Sequence, residues 1–92
     1  MIDILDRRLA PSDQTVESAV GDETVILHLS KSIYYGLDPV GTRIWEMLKE
    51  GVATPDICRR LADDYEVELA VIETDTRRLL TDLEEHGILI DG

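Results

Sequence analysis

At Asp38-Pro39 the apolar spacing of this chain changes period, and that change constrains the fold more than any other feature of the sequence. Upstream, Val25, Leu27 and Leu29 recur at every second residue, as do Ile33, Tyr35 and Leu37, which is the spacing of side chains that share one face of a strand. Downstream, Val40, Ile44, Met47 and Leu48 recur at the three- and four-residue steps of a helix face. A chain that places its strands before its helices is expected to fold as α+β, with the helices laid on the sheet.

The punctuation agrees with that reading. Thr15 to Val20 and Thr24 to Leu29 flank the polar turn Gly21-Asp22-Glu23, Ser30-Lys31-Ser32 makes the next turn, and Ile33 to Leu37 forms a third strand. Three antiparallel strands with one apolar face cannot stand alone in water, so helices must cover that face. Asp38 caps a first helix with Pro39 at its first position, where a missing N–H costs nothing, and Gly51 ends it. Thr54-Pro55 repeats the start signal for a second helix, whose stripe is Ile57, Cys58, Leu61, Ala62 and Tyr65. A third runs from about Leu69 to His86 on Ile72, Thr76, Leu79, Leu80 and Leu83, with Gly87 as a left-handed stop. Ile88-Leu89-Ile90 then makes a short strand or a tail packed on the core. The expected architecture is therefore winged-helix-like, a three-stranded antiparallel sheet followed by three helices, with residues 1–92 as one domain.

Composition removes whole classes of function. Asp and Glu number 20 against 9 Lys plus Arg, and a formal charge of −11 opposes a phosphate backbone or an anionic membrane. Arg59-Arg60 and Arg77-Arg78 are the places where a winged-helix DNA-binding regulator gains support, and acids flank both pairs. Cys58 is the lone cysteine, which excludes an intramolecular disulfide and a cysteine-rich zinc site. The first residues, Met1 to Asp6, lack the basic and apolar regions of a signal peptide, and no stretch reaches the ~20 apolar residues of a membrane span. Cytoplasmic residence is the expectation.

Catalytic groups are scarce. His28 lies in a strand pattern and His86 near a helix end, where a histidine suits the helix dipole, and neither stands in a nucleophile motif. Asp63-Asp64 and Glu84-Glu85 are helix neighbours pointing ~100° apart, so neither pair converges on a metal. Gly36 and Gly41 lack the further glycines and the lysine of a phosphate loop. Neither enzymatic activity, nor a cofactor, nor a metal is expected.

Leu27-His28-Leu29, Tyr34-Tyr35-Gly36-Leu37-Asp38-Pro39, Gly41, Ile44-Trp45 and Leu48, and later Ile57, Leu61, Tyr65, Val67, Asp75, Leu79-Leu80, Leu83 and Gly87-Ile88-Leu89, together resemble the PqqD-like family, named for the small protein of pyrroloquinoline quinone biosynthesis. The likeness runs from the first strand to the end of the chain. Asp38 stands where the family commonly has asparagine, and either residue caps a helix. The resemblance implies a recognition element for the leader region of a ribosomally synthesised precursor peptide, taken up as an added strand in the groove between the third strand and the third helix. It also implies presentation of that precursor to other enzymes. In a lasso peptide cluster, the subtype favoured here, these are a transglutaminase-like leader peptidase and a cyclase; in the quinone-cofactor pathway the partner is a radical SAM enzyme.

The residues can supply such a site. An unpaired strand edge offers N–H and C=O groups to any extended peptide, so specificity must come from side chains. Lys31, Ile33, Tyr34, Tyr35, Gly36 and Leu37 are the expected contacts at the edge. On the third helix they are Glu73, Thr76, Arg77, Leu80 and Glu84, with Leu80 as apolar anchor and Arg77 as a fork for a leader carboxylate. Trp45 is assigned to the core, where its loss would damage folding first.

Overall fold

The computed structural model describes residues 2–92. A 3-10 turn at Ile4–Asp6 precedes a short strand, β1 (Leu9–Pro11), and the sheet strands β2 (Thr15–Val20), β3 (Glu23–His28) and β4 (Ile33–Leu37). Then come the helices α1 (Pro39–Lys49), α2 (Thr54–Tyr65) and α3 (Leu69–Glu85), and a last strand, β5 (Leu89–Asp91). β2, β3 and β4 are the three strands read from the sequence, and they form one antiparallel sheet in that order. The expected α+β order of sheet and then helices is what the chain adopts.

β1 escaped the sequence reading. It pairs antiparallel with β5, Leu9 opposite Asp91 and Pro11 opposite Leu89, in a separate two-stranded sheet. Three residues are too few to show a period, and Pro11 argues against a strand anywhere but at an edge. The segment is nonetheless held firmly: Leu5 and Leu9 are buried in the common core, and Arg7 bridges Glu84 of α3 and Asp91 of β5.

The sheet also turns a different face inward from the one its hydrophobicity suggests. Register pairs Ile26 with Tyr35, Thr24 with Leu37 and His28 with Ile33, and this set meets the core, with Thr24, Ile26, His28 and Leu37 buried. Val25, Leu27 and Leu29 lie on the opposite face, which is open to solvent. Ile33, Tyr35 and Leu37 do face inward as their spacing requires, and pairing then forces their β3 partners to the same side.

Helix boundaries follow their caps. The Asp38 carboxylate accepts the Gly41 N–H at 2.7 Å, so α1 starts as the sequence indicates. At α2 the cap position is Ala53, with no side-chain cap, and Thr54 is the first helical residue, buried beneath the helix start. α3 ends in a Schellman motif: Ile88 N–H donates to the Leu83 carbonyl at 2.9 Å and Gly87 N–H to that of Glu84 at 3.0 Å. Gly87 holds a φ of +73°, and a Cβ there would come within 2.6 Å of Lys31 Nζ. The turn folds Ile88 back onto Leu83 in the core and starts β5.

The core joins Ile26 and Leu37 of the sheet to Ile44, Trp45 and Leu48 of α1, Ile57, Cys58 and Leu61 of α2, and Ile72, Leu80 and Leu83 of α3. Among the described residues no helix is long and apolar enough to cross a membrane.

Candidate peptide-binding groove

Among the described residues, β4 has β3 on one side and no strand on the other, so its free edge faces α3 across a gap. That gap is a groove of about 780 Å³. Tyr35, Gly36 and Leu37 of β4 line one wall, and Val71, Ile72, Asp75, Arg78 and Leu79 of α3 line the other. Val40, Gly41 and Ile44 of α1 contribute the base, and Tyr65 at the end of α2 and Val67 beyond it complete the lining. Most of these surfaces are aliphatic or aromatic, while Asp38, Asp75 and Arg78 supply the charges. An open apolar trough beside unpaired backbone groups is what an extended peptide needs.

Tyr35 holds the two walls in place. Its hydroxyl donates to the Asp82 carboxylate of α3, and its ring meets His86 edge-on at 5.5 Å between centroids. His86 is oriented in turn by donating from Nδ1 to the main-chain oxygen of Asp82 at 2.7 Å. Burial, and then the Asp82 carboxylate, push the Tyr35 phenol up to about 12 from 10.0. The folded chain thus keeps a proton that the unfolded chain releases from pH 10.0 upward. The stabilising contribution is whole below pH 10.0 and is lost as pH rises toward about 12. In a spectrophotometric titration, the phenol missing from Tyr35→Phe is expected to be the one ionising near pH 12; its appearance at the ordinary 10.0 would rule out the bridge.

The expected site residues separate into those the fold brings to the groove and those it does not. Tyr35, Gly36, Leu37 and Thr76 line it. Ile33 is half-buried on the inner face of the edge strand, and Tyr34 points to the open face of the sheet, 73% exposed. Lys31 lies over Gly87 at the end of α3. Thr76 is buried under the groove, its hydroxyl near enough to bias the Cys58 thiol downward but not in hydrogen-bond geometry. Burial is the larger influence and pushes that thiol up.

The other four residues expected on α3, Glu73, Arg77, Leu80 and Glu84, do not line the groove. Leu80 is 0% exposed and belongs to the core row Ile72, Thr76, Leu80 and Leu83. Leu79, half-buried against that core, takes the groove position. Arg77 turns away to a bidentate pair with Asp3 at 2.9 and 3.1 Å, and its guanidinium holds the Asp3 carboxyl below the ordinary carboxylate range. Glu84 is taken by Arg7. Glu73 lies on the same flank as these two and lines no part of the groove. Each residue turns a helix by ~100°, so a step back from the core row and a step forward from it face opposite flanks. The groove lies on the Val71, Asp75, Arg78, Leu79 flank. Adjoining Leu79 to the four-residue steps Val71, Asp75 and Leu79 would have found it; the choice between flanks needed the N-terminal segment, which occupies the other one.

Comparison with known proteins adds three findings. The family model described as Coenzyme PQQ synthesis protein D (PqqD) matches residues 23–89. Among solved structures, the chain is similar to TbiB1 in complex with the TbiA(beta) leader peptide, at 38% identity and a TM-score of 0.83, over 87% of this chain and 93% of that one. It is similar in fold to lasso peptide synthetase B1 complexed with the leader peptide, at 24% identity and a TM-score of 0.84, over 90% and 98%. No curated protein sequence matches.

Proposed function

The chain belongs to the PqqD family, and from that premise we propose that it captures the leader region of a ribosomally synthesised precursor peptide in the groove between β4 and α3. The observation that carries this reading is the apolar groove along an unpaired strand edge. It gains support from the 38% identical relative, which is a leader peptide complex. The leader enters as a strand added to Ile33–Leu37, and alternate side chains descend between Tyr35 and Leu37 on one wall and Val71, Ile72 and Leu79 on the other.

Magnitudes place the selectivity in those side chains. Each new backbone hydrogen bond is worth about 0.5–1.5 kcal/mol net, and ordering each peptide residue costs about 1–2 kcal/mol. The ladder alone therefore roughly cancels. Affinity has to come from apolar burial, at about 25 cal/mol per Å². A strand-binding domain without selective pockets would hold any extended chain, so the groove is where one leader is told from another.

In this reading residues 1–92 act as one recognition domain with no catalysis of its own. It works in the cytoplasm and presents the captured precursor to a leader peptidase and a cyclase of the lasso type. The likeness in fold to lasso peptide synthetase B1 is what supports that pathway over delivery to a radical SAM enzyme.

The direct test is fluorescence polarisation with a labelled leader peptide from the same gene cluster and a scrambled control. Saturable binding of the leader, with the scrambled peptide at least about tenfold weaker, is expected. Equal binding of both peptides, or of neither, would sink the proposal.

A further inference from the structure

The free strand edges of this fold differ in how they are protected. That of β4 lies in the groove, and β1 is blunted by Pro11, which has no N–H to offer. The outer edge of β2 has neither protection. Among the described residues, β2 has β3 on one side and no strand on the other, and of its 6 residues only Thr15 is even half-buried. It carries no lysine, proline or bulge, the devices by which sheets guard an edge. Its one charge, Glu17, is tied to the inner side by Lys49 and the Trp45 indole.

We propose that this edge takes a second copy of the same chain, β2 pairing antiparallel with β2 about a two-fold axis through Ser18. The hydrogen bonding already present in the sheet sets the terms. Leu29 N–H donates to the Gln14 carbonyl at 2.7 Å, and in an antiparallel ladder such bonded pairs alternate with pairs that do not bond. Val16, Ser18 and Val20 therefore direct their backbone groups to β3, while Glu17 and Ala19 turn theirs outward. Thr15 keeps only its carbonyl free, because its N–H donates to the Ser12 carbonyl at 3.3 Å. An outward-bonding residue can bond only to another, so a symmetric pairing has to be centred on a residue of β2 and not between two.

Glu17, Ser18 and Ala19 are the centres that keep most of the strand paired, and the side chains choose among them. Centring on Glu17 sets two carboxylates directly opposite each other, which is destabilising. Centring on Ala19 puts Asp22 opposite Val16. Centring on Ser18 puts Val16 opposite Val20 and Ser18 opposite itself, while Glu17 and Ala19 exchange both backbone hydrogen bonds. The valine and serine pairs then fall at the non-bonded positions, where side chains approach most closely. A strand that matches its own reverse in bonding pattern, apolar pairs and charge fits a second copy. The two-fold uses the same edge in both chains and so closes the assembly at a dimer. The joined sheet ends in a β4 edge on either side, so both grooves stay open.

The contact is small. Strand pairing over 6 residues at ~3.4 Å each covers on the order of 200 Å² per copy, against about 800 Å² for a stable interface. Two chains of −11 also repel each other. The dimer is therefore weak and is strengthened by salt, which shortens the screening length from about 10 Å at 0.1 M to about 3 Å at 1 M.

Sedimentation equilibrium of the full chain tests this between about 20 μM and about 1 mM. The mean mass should climb toward the dimer with a dissociation constant on the order of 100 μM, tightening by at least about threefold from 0.1 M to 1 M NaCl. Ser18→Lys and Ser18→Glu each place like charges on the axis and should weaken self-association by at least about tenfold, whereas an equimolar mixture of the two should associate more tightly than either alone. Ala19→Pro removes an outward N–H without breaking a bond to β3, and should abolish the dimer. All three variants should melt within a few degrees of wild type and bind the labelled leader peptide within about twofold, because none of the altered residues lines the groove. A wild type that stays monomeric at about 1 mM in about 1 M NaCl would overturn the proposal. So would a dimer indifferent to all three substitutions, or a lysine and glutamate mixture no tighter than its components. Dissociation of the dimer by saturating leader would overturn it too, because β2 would then be seated in the groove of the next copy.

Discussion

Leu79→Glu is expected to weaken leader binding by about a hundredfold or more while the domain stays folded, and Leu80→Ala is expected to do the reverse. Leu79 is half-buried on the wall of the groove, facing Tyr35 and Leu37 across the gap. Removing an apolar contact at such a place costs about 1.5–3 kcal/mol, and a carboxylate left dry beneath a peptide adds its own desolvation. About 2.7 kcal/mol is a hundredfold in affinity. The fold tolerates the change because glutamate is a good helix former and its head can reach water from a partly open site. Leu80 lies one residue on, 0% exposed between the helices. Its truncation to alanine should cost about 2–5 kcal/mol, much of the stability of a domain this small, and any lost binding should follow the lost fold. Polarisation titrations beside urea melts separate the two. Wild-type leader affinity in folded Leu79→Glu would remove the groove as the binding site.

The contrast between these neighbours shows what could be read in advance. Helix α3 was legible, as were its ends and its apolar stripe, because the four-residue steps and Gly87 are local signals; its part in a groove beside β4 was what the family resemblance implied. Its rotation was not. The stripe Ile72, Thr76, Leu79, Leu80 and Leu83 is wider than the row that reaches the core, and both of its margins are equivalent until something fills one of them. The N-terminal segment fills one: Asp3 takes Arg77, Arg7 takes Glu84, and Leu5 and Leu9 enter the core. That segment has no periodicity, so the flank it covers, and by elimination the flank left to line the groove, are set by contacts distant in sequence.

The sheet teaches a related lesson. Alternation located β3, but its two sets of side chains, Val25, Leu27 and Leu29 against Thr24, Ile26 and His28, differ in hydrophobicity in the direction opposite to their burial. Local preference lost to pairing, because β4 must turn Tyr35 toward Asp82 and Leu37 into the core, and the ladder carries β3 with it. A strand whose more apolar side faces water departs from the pattern of a half-buried sheet. That departure is where function is expected to reside.

Trp45→Ala is expected to be the most damaging single truncation in the chain, at about 3–5 kcal/mol. Trp45 is the largest of the fully buried side chains. It also joins two elements by a polar contact, its Nε1 donating to Glu17 of β2 at 3.1 Å. The same carboxylate accepts from Lys49 at 2.9 and 3.0 Å, and it holds the Lys49 ammonium above its ordinary range. The tryptophan thus fixes where α1 sits on the sheet, and α1 in turn provides Ile44 at the base of the groove. Trp45→Phe keeps most of the packing and forfeits the N–H, so its cost should be smaller, about 1–2 kcal/mol. Glu17→Gln keeps an acceptor for the indole and removes the ion pair to Lys49, and it should cost less again. Urea denaturation is expected to rank the three in that order, with leader affinity preserved in Glu17→Gln and Trp45→Phe wherever the folded fraction is high. Equal midpoints for Trp45→Ala and Trp45→Phe would mean that the ring volume contributes little and that the helix is seated by other contacts.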